Sequence, residues 1–221
     1  MSRLVALIGS PVANSLSPRM QNAAFAARAL DWTYVACEVD KGEVAAALKG
    51  LDALRFAGAN VTAPYKLEVA RLTGAELPSV NTLLFDPLRA VSTDAAILDG
   101  LEFERPAIIG AGGAAAAFRQ ALPEAAVFYR RGAWPPEVDD YDLVVNATPV
   151  RDEVLVRLGS GQTLVDLPYP ASATATVAHD AGARVLDGLE VLVAQGAASF
   201  ELWTAIPAPV EVMRRAVGLA P

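Results

Sequence analysis

The chain has 221 residues and a formal net charge of −7, which argues against nucleic acid as its main partner. Its composition, 53% hydrophobic and 19% charged, is that of a globular protein with one large core or two modest ones, and it excludes intrinsic disorder. One cysteine and one histidine exclude an internal disulfide and argue against a structural zinc site, so no metal is expected.

The amino-terminal apolar stretch is too short for a secretory signal. Residues 3–8 lead directly to Gly9 and Pro11, which interrupt the apolar run. No apolar run in the chain reaches the length needed to span a bilayer. We therefore expect a cytoplasmic protein with a small-molecule partner. If that partner is anionic, local donors must bind it against the negative charge of the chain.

Apolar runs and helical patterns alternate from the start, which predicts an α/β fold with parallel strands. The first half contains predicted strands at Leu4–Ile8, Thr33–Val39 and Phe56–Val61, and predicted helices at Pro18–Leu30, Glu43–Leu51 and Pro64–Leu72. A short hairpin is predicted at Val80–Phe85 with Ala90–Ser92.

A second strand–helix series begins near residue 107. Its predicted strands are Ala107–Ile109, Val127–Tyr129, Leu143–Asn146 and Leu164–Leu167, and its predicted helices lie near Ala114–Leu122 and Ala173–Ala181. Helices at Val191–Trp203 and Pro209–Val217 close the chain. We expect a domain boundary near Leu98–Arg105, so that one domain spans residues 1–98 with 188–221 and the other spans 99–187.

The segment Asn60-Val61-Thr62-Ala63-Pro64-Tyr65-Lys66 joins a predicted strand to a predicted helix, with Pro64 suited to the first helical turn. Lys66 should lie at the mouth of the sheet beside Asn60 and Thr62. Only three lysines accompany fifteen arginines in this chain. Unlike arginine, lysine can lose its proton and act as an acid or a base. The simpler alternative is an exposed lysine in a first helical turn.

A glycine-rich turn follows the first strand of the second series. Gly110, Gly112 and Ala115 match the pattern G-x-G-x-x-A before an alanine-rich helix. The first glycine permits a tight turn, the second lets the backbone approach a pyrophosphate, and the small third residue permits close helix–strand packing. Because the phosphates of a dinucleotide would rest on the helix N-terminus, the turn predicts a dinucleotide site, against a purely structural turn.

The residues about twenty positions further on select the cofactor. An acidic residue there would accept the ribose hydroxyls of NAD, but the chain has Arg130 and Arg131. Arginine suits a 2′-phosphate, so NADP is favoured. The alternative is two solvated arginines after an edge strand. The ten residues between Arg131 and Asp142 include Pro135 and Pro136 and leave little room for a crossover helix. We therefore expect thin cover on that face of the sheet, which favours a homodimer.

Ser15 and Ser17 follow the first strand and alternate, so in an extended segment both hydroxyls would face one side. Two hydroxyls at a helix N-terminus suit a carboxylate, although Ser-Pro is also a common signal for a helix start. Further polar groups follow at predicted strand ends and near the carboxyl terminus. They are Asn81, Thr82, Ser92, Thr93, Asp94 and Gln195.

Taken in order, these motifs resemble the shikimate dehydrogenase family, including its quinate-using relatives. The resemblance runs nearly end to end. Its pieces are Ser15-Leu16-Ser17-Pro18, the segment 60–66, Val80-Asn81-Thr82, Thr93-Asp94, Gly110-Ala111-Gly112-Gly113-Ala114, Asn146-Ala147-Thr148-Pro149, Asp166-Leu167-Pro168-Tyr169-Pro170, and Gln195 with Phe200-Glu201-Leu202-Trp203.

The resemblance implies a role for each matched position. Lys66 and Asp94 would be the catalytic pair. The substrate would be held by Ser15 and Ser17 at its carboxylate, by Asn60, Thr62, Asn81 and Gln195 around its ring hydroxyls, and by Tyr169 near the carboxylate. The cofactor would be held by Gly110, Gly112, Gly113, Ala114, Arg130, Arg131, Asn146 and Thr148. The pair of Lys66 and Asp94 can exchange a hydroxyl proton without histidine. His179, which lies outside these motifs, is therefore not expected to have a catalytic role.

We therefore expect an N-terminal α/β substrate domain, a shortened Rossmann-like domain that binds NADP, and C-terminal helices that return to the first domain. The implied activity is reversible, NADP-dependent reduction of 3-dehydroshikimate to shikimate in chorismate and aromatic amino-acid biosynthesis. Two alternatives stay open. One is a quinate or shikimate dehydrogenase that uses NAD, and the other is a non-catalytic relative that binds a ligand or nucleotide. The shortened segment and Arg151, where relatives carry glycine, motivate the second alternative.

Overall fold

The computed structural model describes residues 2–220 and divides into two compact units. The first consists of Met1–Ala96 with Leu192–Pro221, and the second of Ile97–Val191. No helix among the described residues is long and apolar enough to cross a membrane.

The chain alternates strands and helices through most of its length. In chain order the elements are β1 (Arg3–Gly9), α1 (Ser17–Ala27), β2 (Trp32–Glu38), α2 (Val44–Ala53), β3 (Gly58–Val61), α3 (Lys66–Thr73), β4 (Thr82–Phe85), β5 (Leu88–Val91), a short 3₁₀ helix (Ala96–Leu98), β6 (Pro106–Ile109), α4 (Gly113–Ala121), β7 (Ala126–Phe128), β8 (Leu143–Asn146), β9 (Thr163–Asp166), α5 (Ala173–Asp180), β10 (Arg184–Leu186), α6 (Gly188–Thr204) and α7 (Val210–Val217).

The first unit contains a mixed sheet in the order β2-β1-β3-β4-β5. β1 pairs in parallel with β2 and β3, whereas β3–β4 and β4–β5 are antiparallel. Residues of β3 alternate between the two faces. Ala59 and Val61 join the core that includes α2 and α3. Asn60 points to the opposite face, with Thr82 as its partner on β4, and this face also carries Tyr34.

Large side chains fill that opposite face of the first sheet. Phe25 of α1 stacks against Phe200 of α6, and Tyr34 of β2 lies 6.1 Å from Trp203, measured between ring centroids. Trp203 also donates a 2.9 Å hydrogen bond to the carbonyl of Leu83, so α6 is tied to the backbone of β4. The polar side chains of this face therefore lie beneath a packed helix, where each needs an internal hydrogen-bond partner.

The second unit contains an all-parallel sheet in the order β10-β9-β8-β6-β7. β6 and β8 are fully buried, as expected for central parallel strands. No helix lies between β7 and β8, and Val138 and Tyr141 from this irregular segment pack on the core, as do Leu155 and Val156 from the segment after β8. Side chains from loops thus cover part of the sheet where a crossover helix would normally lie.

The predicted α/β class is confirmed, and the differences are local. β3 begins at Gly58 instead of Phe56 because Arg55 is left-handed (φ +58°) and the Phe56 N–H closes α2 on Leu51. α3 begins at Lys66, so placing Pro64 in the first helical turn was wrong; Pro64 lies in a turn that the Tyr65 N–H closes on Thr62. The three-residue strand β10 was not predicted because it is too short to show a period.

Candidate active site

Lys66 and Asp94 form an ion pair beyond the carboxyl ends of β3 and β5, two strands of the first sheet that are separated by β4. Lys66 is the first residue of α3, after β3, and Asp94 lies three residues beyond β5. The ammonium nitrogen is 2.6 and 2.8 Å from the two carboxylate oxygens, and the side chains are only 16% and 7% exposed. Because an ammonium has three donors, at least one remains available to a substrate oxygen.

Neutral polar groups surround the Asp94 carboxylate. The amide nitrogen of Asn81 lies within 3.0 Å of Asp94 Oδ1, of Gln195 Oε1 and of Thr93 Oγ1. The side-chain oxygen of Asn81, Oδ1, accepts the Thr93 N–H at 2.8 Å, which fixes the orientation of the amide. Asn81 and Gln195 were both predicted as substrate ligands, and the structure brings them together with the ion pair in one half-buried polar cluster.

Asn60, also predicted as a substrate ligand, is buried and bonded internally. Its oxygen accepts from the hydroxyl of Tyr34 at 2.8 Å, and its nitrogen lies 3.0 Å from Thr82 Oγ1 and 3.1 Å from Ser199 Oγ. The same nitrogen is 3.0 Å from the carbonyl of Asn81. Asn60 therefore supports the segment that carries Asn81, and its amide is saturated by protein partners.

Ser199 of α6 links the strands beneath the cluster. Its hydroxyl lies 2.9 Å from Thr82 Oγ1 and 3.1 Å from Thr93 Oγ1, and it donates to the carbonyl of Gln195 at 2.9 Å. Sequence analysis missed Ser199 and Tyr34. In the sequence, Ser199 is only a second polar residue one helical turn after Gln195, which does not reveal a partner 139 positions away, as Asn60 is from Ser199.

Ser15 and Ser17 lie at the start of α1, but not as predicted. Leu16 has helical dihedrals (φ −82°, ψ −9°), so the segment turns and the expectation of an extended strand with two aligned hydroxyls was wrong. The reason is local, because the hydroxyl of Ser15 accepts the Ser17 N–H at 3.2 Å. Ser17 is 8% exposed and Ser15 is half-buried, so both hydroxyls still lie in the first turn region, where N–H groups suit an anion.

Thr62 lies between β3 and the turn that precedes Lys66. Its N–H donates to the carbonyl of Ile8 at 2.9 Å, which continues the pairing of β1 and β3. A Cβ added at Gly9 would lie 2.3 Å from the Thr62 methyl carbon, so only glycine leaves room for Thr62 beside β1. Thr62 and the Ser15–Ser17 turn therefore follow the carboxyl ends of two paired parallel strands, the edge where α/β sheets hold ligands.

The glycine turn of the second unit has the predicted strand–turn–helix geometry. Gly110 has φ +135°, and a Cβ there would lie 3.0 Å from the carbonyl oxygen of Ala147, so glycine is required. Gly112 caps α4 without a side-chain bond, and a Cβ there would meet nothing within 4 Å. The first turn of α4, with Gly113 and Ala114, carries no acidic residue. This open, donor-rich helix end fits the phosphates of a dinucleotide.

Arg130 and Arg131 follow the strand next to this turn, as predicted. Gly110 donates its N–H to the carbonyl of Phe128 at 2.9 Å, so the end of β7 is bonded directly to the glycine turn. Both arginines are exposed. Arg130 lies over the ring of Trp134 and pairs with Glu153, whereas no ion pair of Arg131 occurs within residues 2–220.

Asn146 is the buried last residue of β8, and its side chain shapes the following loop. Its nitrogen donates to Asp166 Oδ1 at 2.7 Å, and its oxygen accepts from the Thr148 hydroxyl at 2.8 Å and the Thr148 N–H at 3.2 Å. Asn146 and Asp166 are register partners on adjacent parallel strands. Asn146 therefore holds Thr148 in place, and its own amide is enclosed by protein.

Asp166 is a buried carboxyl that the sequence motif contained but that had no predicted role. Burial raises its pKa above the ordinary value; hydrogen bonds from Asn146 and Ser172 oppose this rise, and nearby Asp187 adds to it. The raised pKa means that this environment favours the neutral form of the carboxyl more than water does.

The remaining predicted residues are more isolated. Tyr169 lies in the second unit, three residues after β9, and is half-buried. His179 lies in α5, where its imidazole is 80% exposed and 3.6 Å from the Asp180 carboxylate. Such an exposed imidazole contacts none of the polar groups described above.

Two family models match this chain. One, described as the shikimate dehydrogenase substrate binding domain, matches residues 7–82, and the other, described as the shikimate 5′-dehydrogenase C-terminal domain, matches residues 188–217. A shikimate dehydrogenase (NADP⁺) from Moorella thermoacetica is 38% identical over 269 aligned positions, which cover 96% of this chain and 91% of the relative. The alignment is longer than this chain, so the relative carries insertions.

Solved structures agree with the sequence comparison. A shikimate dehydrogenase from Aquifex aeolicus superimposes with a TM-score of 0.87 at 28% identity, covering 98% of each chain. A shikimate 5-dehydrogenase from Thermus thermophilus, solved in complex with NADP(H) and shikimate, gives a TM-score of 0.84 at 27% identity, covering 97% of this chain and 98% of that one. The fold similarity therefore extends over nearly the whole chain.

Proposed function

This chain belongs to the shikimate dehydrogenase family, and we propose that it catalyses the reversible, NADP-dependent reduction of 3-dehydroshikimate to shikimate. The observation that carries the proposal is the ion pair of Lys66 and Asp94. It lies among neutral amides and hydroxyls, beyond the carboxyl ends of β3 and β5. Interconversion of a ketone and a secondary alcohol needs a group that gives or takes one proton, and Lys66 can do both.

When bound, NADPH supplies the hydride that reduces the carbonyl carbon. In that direction Lys66 Nζ donates a proton to the carbonyl oxygen, so the product is a neutral hydroxyl, and the lysine is reprotonated from solvent. In the oxidation direction Lys66 takes the hydroxyl proton. Asp94 accepts hydrogen bonds from Lys66 at 2.6 and 2.8 Å, which holds the amine at a defined position in both directions of the reaction.

Substrate recognition is assigned to polar groups of the first unit. Gln195 would contact ring hydroxyls together with Thr62. Asn81 is 1% exposed, and its amide nitrogen already lies 3.0 Å from Asp94 and Gln195, so it would act by positioning these two side chains. Ser15 and Ser17 would bind the carboxylate at the start of α1. Asn60 is assigned an indirect role, since its amide is already bonded to Tyr34, Thr82 and Ser199.

We assign cofactor binding to the second unit and propose a substrate domain (1–98 with 188–221) and a dinucleotide domain (99–187). The two compact units, Met1–Ala96 with Leu192–Pro221 and Ile97–Val191, support this division. The open turn at Gly110, Gly112, Gly113 and Ala114 would hold the pyrophosphate by backbone donors. Arg130 and Arg131 would hold the 2′-phosphate that distinguishes NADP from NAD. Asn146 would act through Thr148, whose loop it orders.

A cytoplasmic location and a homodimer belong to the same proposal. The first is supported by the biosynthetic substrate, and the second by the irregular cover between β7 and β8. Sedimentation equilibrium would measure the oligomeric state, and a monomer at micromolar concentration would contradict the dimer.

A two-by-two activity grid tests the proposal. The absorbance of reduced nicotinamide is followed with shikimate or quinate as substrate and with NADP⁺ or NAD⁺ as cofactor. We expect turnover to be fastest with shikimate and NADP⁺. Absence of turnover in all four reactions would contradict an enzyme, and a maximum with quinate or NAD⁺ would reassign its specificity.

A further inference from the structure

Arg130 is held by two contacts within the second unit. Its guanidinium carbon lies 5.5 Å from the centroid of the Trp134 ring, and its Nη2 atom pairs with the Glu153 carboxylate. The Arg130 and Glu153 side chains are 61% and 55% exposed, so this pair faces solvent. One guanidinium nitrogen of Arg130 is therefore already paired with a carboxylate.

The position of Arg130 gives this contact a functional meaning. Arg130 comes two residues after β7, whose last carbonyl, that of Phe128, accepts the N–H of Gly110 in the glycine turn. The residue that follows the second strand of a dinucleotide fold meets the 2′ position of the adenosine ribose. A guanidinium at this position binds a phosphate through the same N–H groups that bind a carboxylate.

Glu153 is anchored independently of Arg130. Its carbonyl accepts from the hydroxyl of Thr174 at 3.3 Å, and the same hydroxyl accepts the N–H of Leu155 at 2.9 Å. Thr174 is fully buried in α5. The carbonyl of Arg151 also accepts the N–H of Ala173 at 2.7 Å. These bonds fix the backbone of the loop after β8, so the Glu153 carboxylate stays within reach of Arg130.

We propose that Glu153 is a specificity-determining residue for the cofactor, because its carboxylate is paired with the Arg130 guanidinium that a ribose 2′-phosphate would bind. This inference rests on the proposed cofactor site. A 2′-phosphate on Arg130 competes with the carboxylate for the Nη2 donor and lies close to its negative charge, whereas an unphosphorylated ribose leaves the ion pair intact. Glu153 thereby weakens binding of NADP without affecting NAD and narrows the discrimination between them.

The test compares Glu153→Gln with Asp152→Asn. Both variants remove one negative charge from the same exposed loop, but no contact between Asp152 and Arg130 is present in the described structure. Dissociation constants are measured by calorimetry for adenosine 2′,5′-bisphosphate and for adenosine 5′-diphosphate, which lacks the 2′-phosphate. These probes report on the site without turnover.

We expect Glu153→Gln to bind the bisphosphate two- to five-fold more tightly than the wild type, the range in which an exposed ion pair contributes, with the diphosphate unchanged. Asp152→Asn should match the wild type for both probes. The difference should shrink at high salt because both competing contacts are exposed. Equal or weaker bisphosphate binding by Glu153→Gln, an equal gain in Asp152→Asn, or no bisphosphate binding by any protein would overturn the inference.

Shikimate turnover with NADP⁺ in the same preparations separates this inference from the proposed function. If the wild type turns over shikimate and Glu153→Gln binds the bisphosphate no better, the inference fails alone. If the probe result is as expected but turnover is absent, the proposed function fails and the role of Glu153 stands.

Discussion

Lys66 and Asp94 are 28 positions apart in the chain, yet the ammonium nitrogen of the lysine lies within 2.8 Å of both carboxylate oxygens. Asp94 receives a further hydrogen bond from Asn81 at 3.0 Å. The Asp94 carboxylate is therefore bonded to both Lys66 and Asn81, and the other polar groups around the pair are neutral. In such a site a lysine can have two roles, to supply positive charge and to exchange a proton.

Lys66→Arg and Lys66→Ala distinguish these two roles. Arginine keeps the charge and the contact with Asp94 but does not release its proton at neutral pH. We expect both variants to lose roughly 10²- to 10⁴-fold in kcat, the usual contribution of a general acid or base, while the dissociation constant for shikimate changes little. Steady-state kinetics and calorimetry measure the two quantities.

Lys41→Ala is the matched control, because Lys41 is an exposed lysine of the same unit. It should keep wild-type kinetics. Lys66→Arg with more than a tenth of the wild-type kcat would show that the positive charge, and not proton transfer, is what catalysis needs.

Ser199→Ala should impair substrate binding through a change behind the site. The substitution deprives Asn60, Thr82 and Thr93 of a shared partner in a buried network. We expect a loss of about 1–3 kcal/mol in the free energy of unfolding and a higher KM for shikimate with a smaller change in kcat. Urea unfolding and initial rates provide the measurements.

Thr73→Ala serves as its control, since the Thr73 hydroxyl bonds only to the carbonyls of Val69 and Ala70 in its own helix. Its effect on unfolding should stay near 0.5 kcal/mol, with KM unchanged. If Ser199→Ala behaved like this control in both measurements, the network would not position the substrate ligands.

Gly58 and Gly50 should respond to alanine in opposite directions. A Cβ at Gly58 would lie 2.3 Å from the indole nitrogen of Trp203 and 2.4 Å from the carbonyl oxygen of Leu83, between the partners of a hydrogen bond. Gly58→Ala should therefore cost at least about 1–3 kcal/mol of unfolding free energy.

Gly50, in α2, has open space around its Cβ position. Gly50→Ala should stabilise the protein by about 0.5–1 kcal/mol because alanine has the higher helix propensity. Thermal and urea unfolding would measure both variants. A neutral Gly58→Ala would contradict the close packing of α6 on the first sheet.

Asp166→Asn should change how stability depends on pH. Burial raises the pKa of Asp166, so over part of the acidic range the folded protein binds more protons than the unfolded chain. The stability that Asp166 contributes therefore falls as pH rises from about 3.9, the ordinary carboxyl value, through its raised pKa. The unfolding free energy of the wild type relative to Asp166→Asn should decrease over that window.

Asp142→Asn is the comparison of opposite sign. Partial burial acts to raise the pKa of Asp142, but N–H groups of Glu104 and Arg105, at 2.7 and 2.8 Å, outweigh it and lower the pKa. The stability contributed by Asp142 is therefore present above about pH 3.9 and lost as pH falls further. Urea unfolding from pH 2.5 to 8 tests both, and slopes of the same sign would contradict these assignments.

Local patterns predicted most strands and helices of both units because apolar periodicity reflects which face of an element is buried. These patterns gave wrong local predictions where a single hydrogen bond sets the backbone conformation. Leu16 turns because Ser15 accepts the Ser17 N–H, and α3 starts at Lys66 because the preceding turn closes on Thr62. Such bonds leave no periodic signal, so neither the Ser15–Ser17 geometry nor the start of α3 could be derived from the pattern.

The amino-acid sequence alone determined the α/β class, the glycine turn and the set of polar motifs that identifies the family, because these depend on residue types at short spacing. Only the tertiary structure decided which of these polar residues are bonded to each other. Asn60 and Asn146 look like ligands in the sequence, but Tyr34, Ser199 and Asp166 occupy their amides. Those partners come from other strands and from α6, and a buried amide takes whichever partners packing brings within 3 Å.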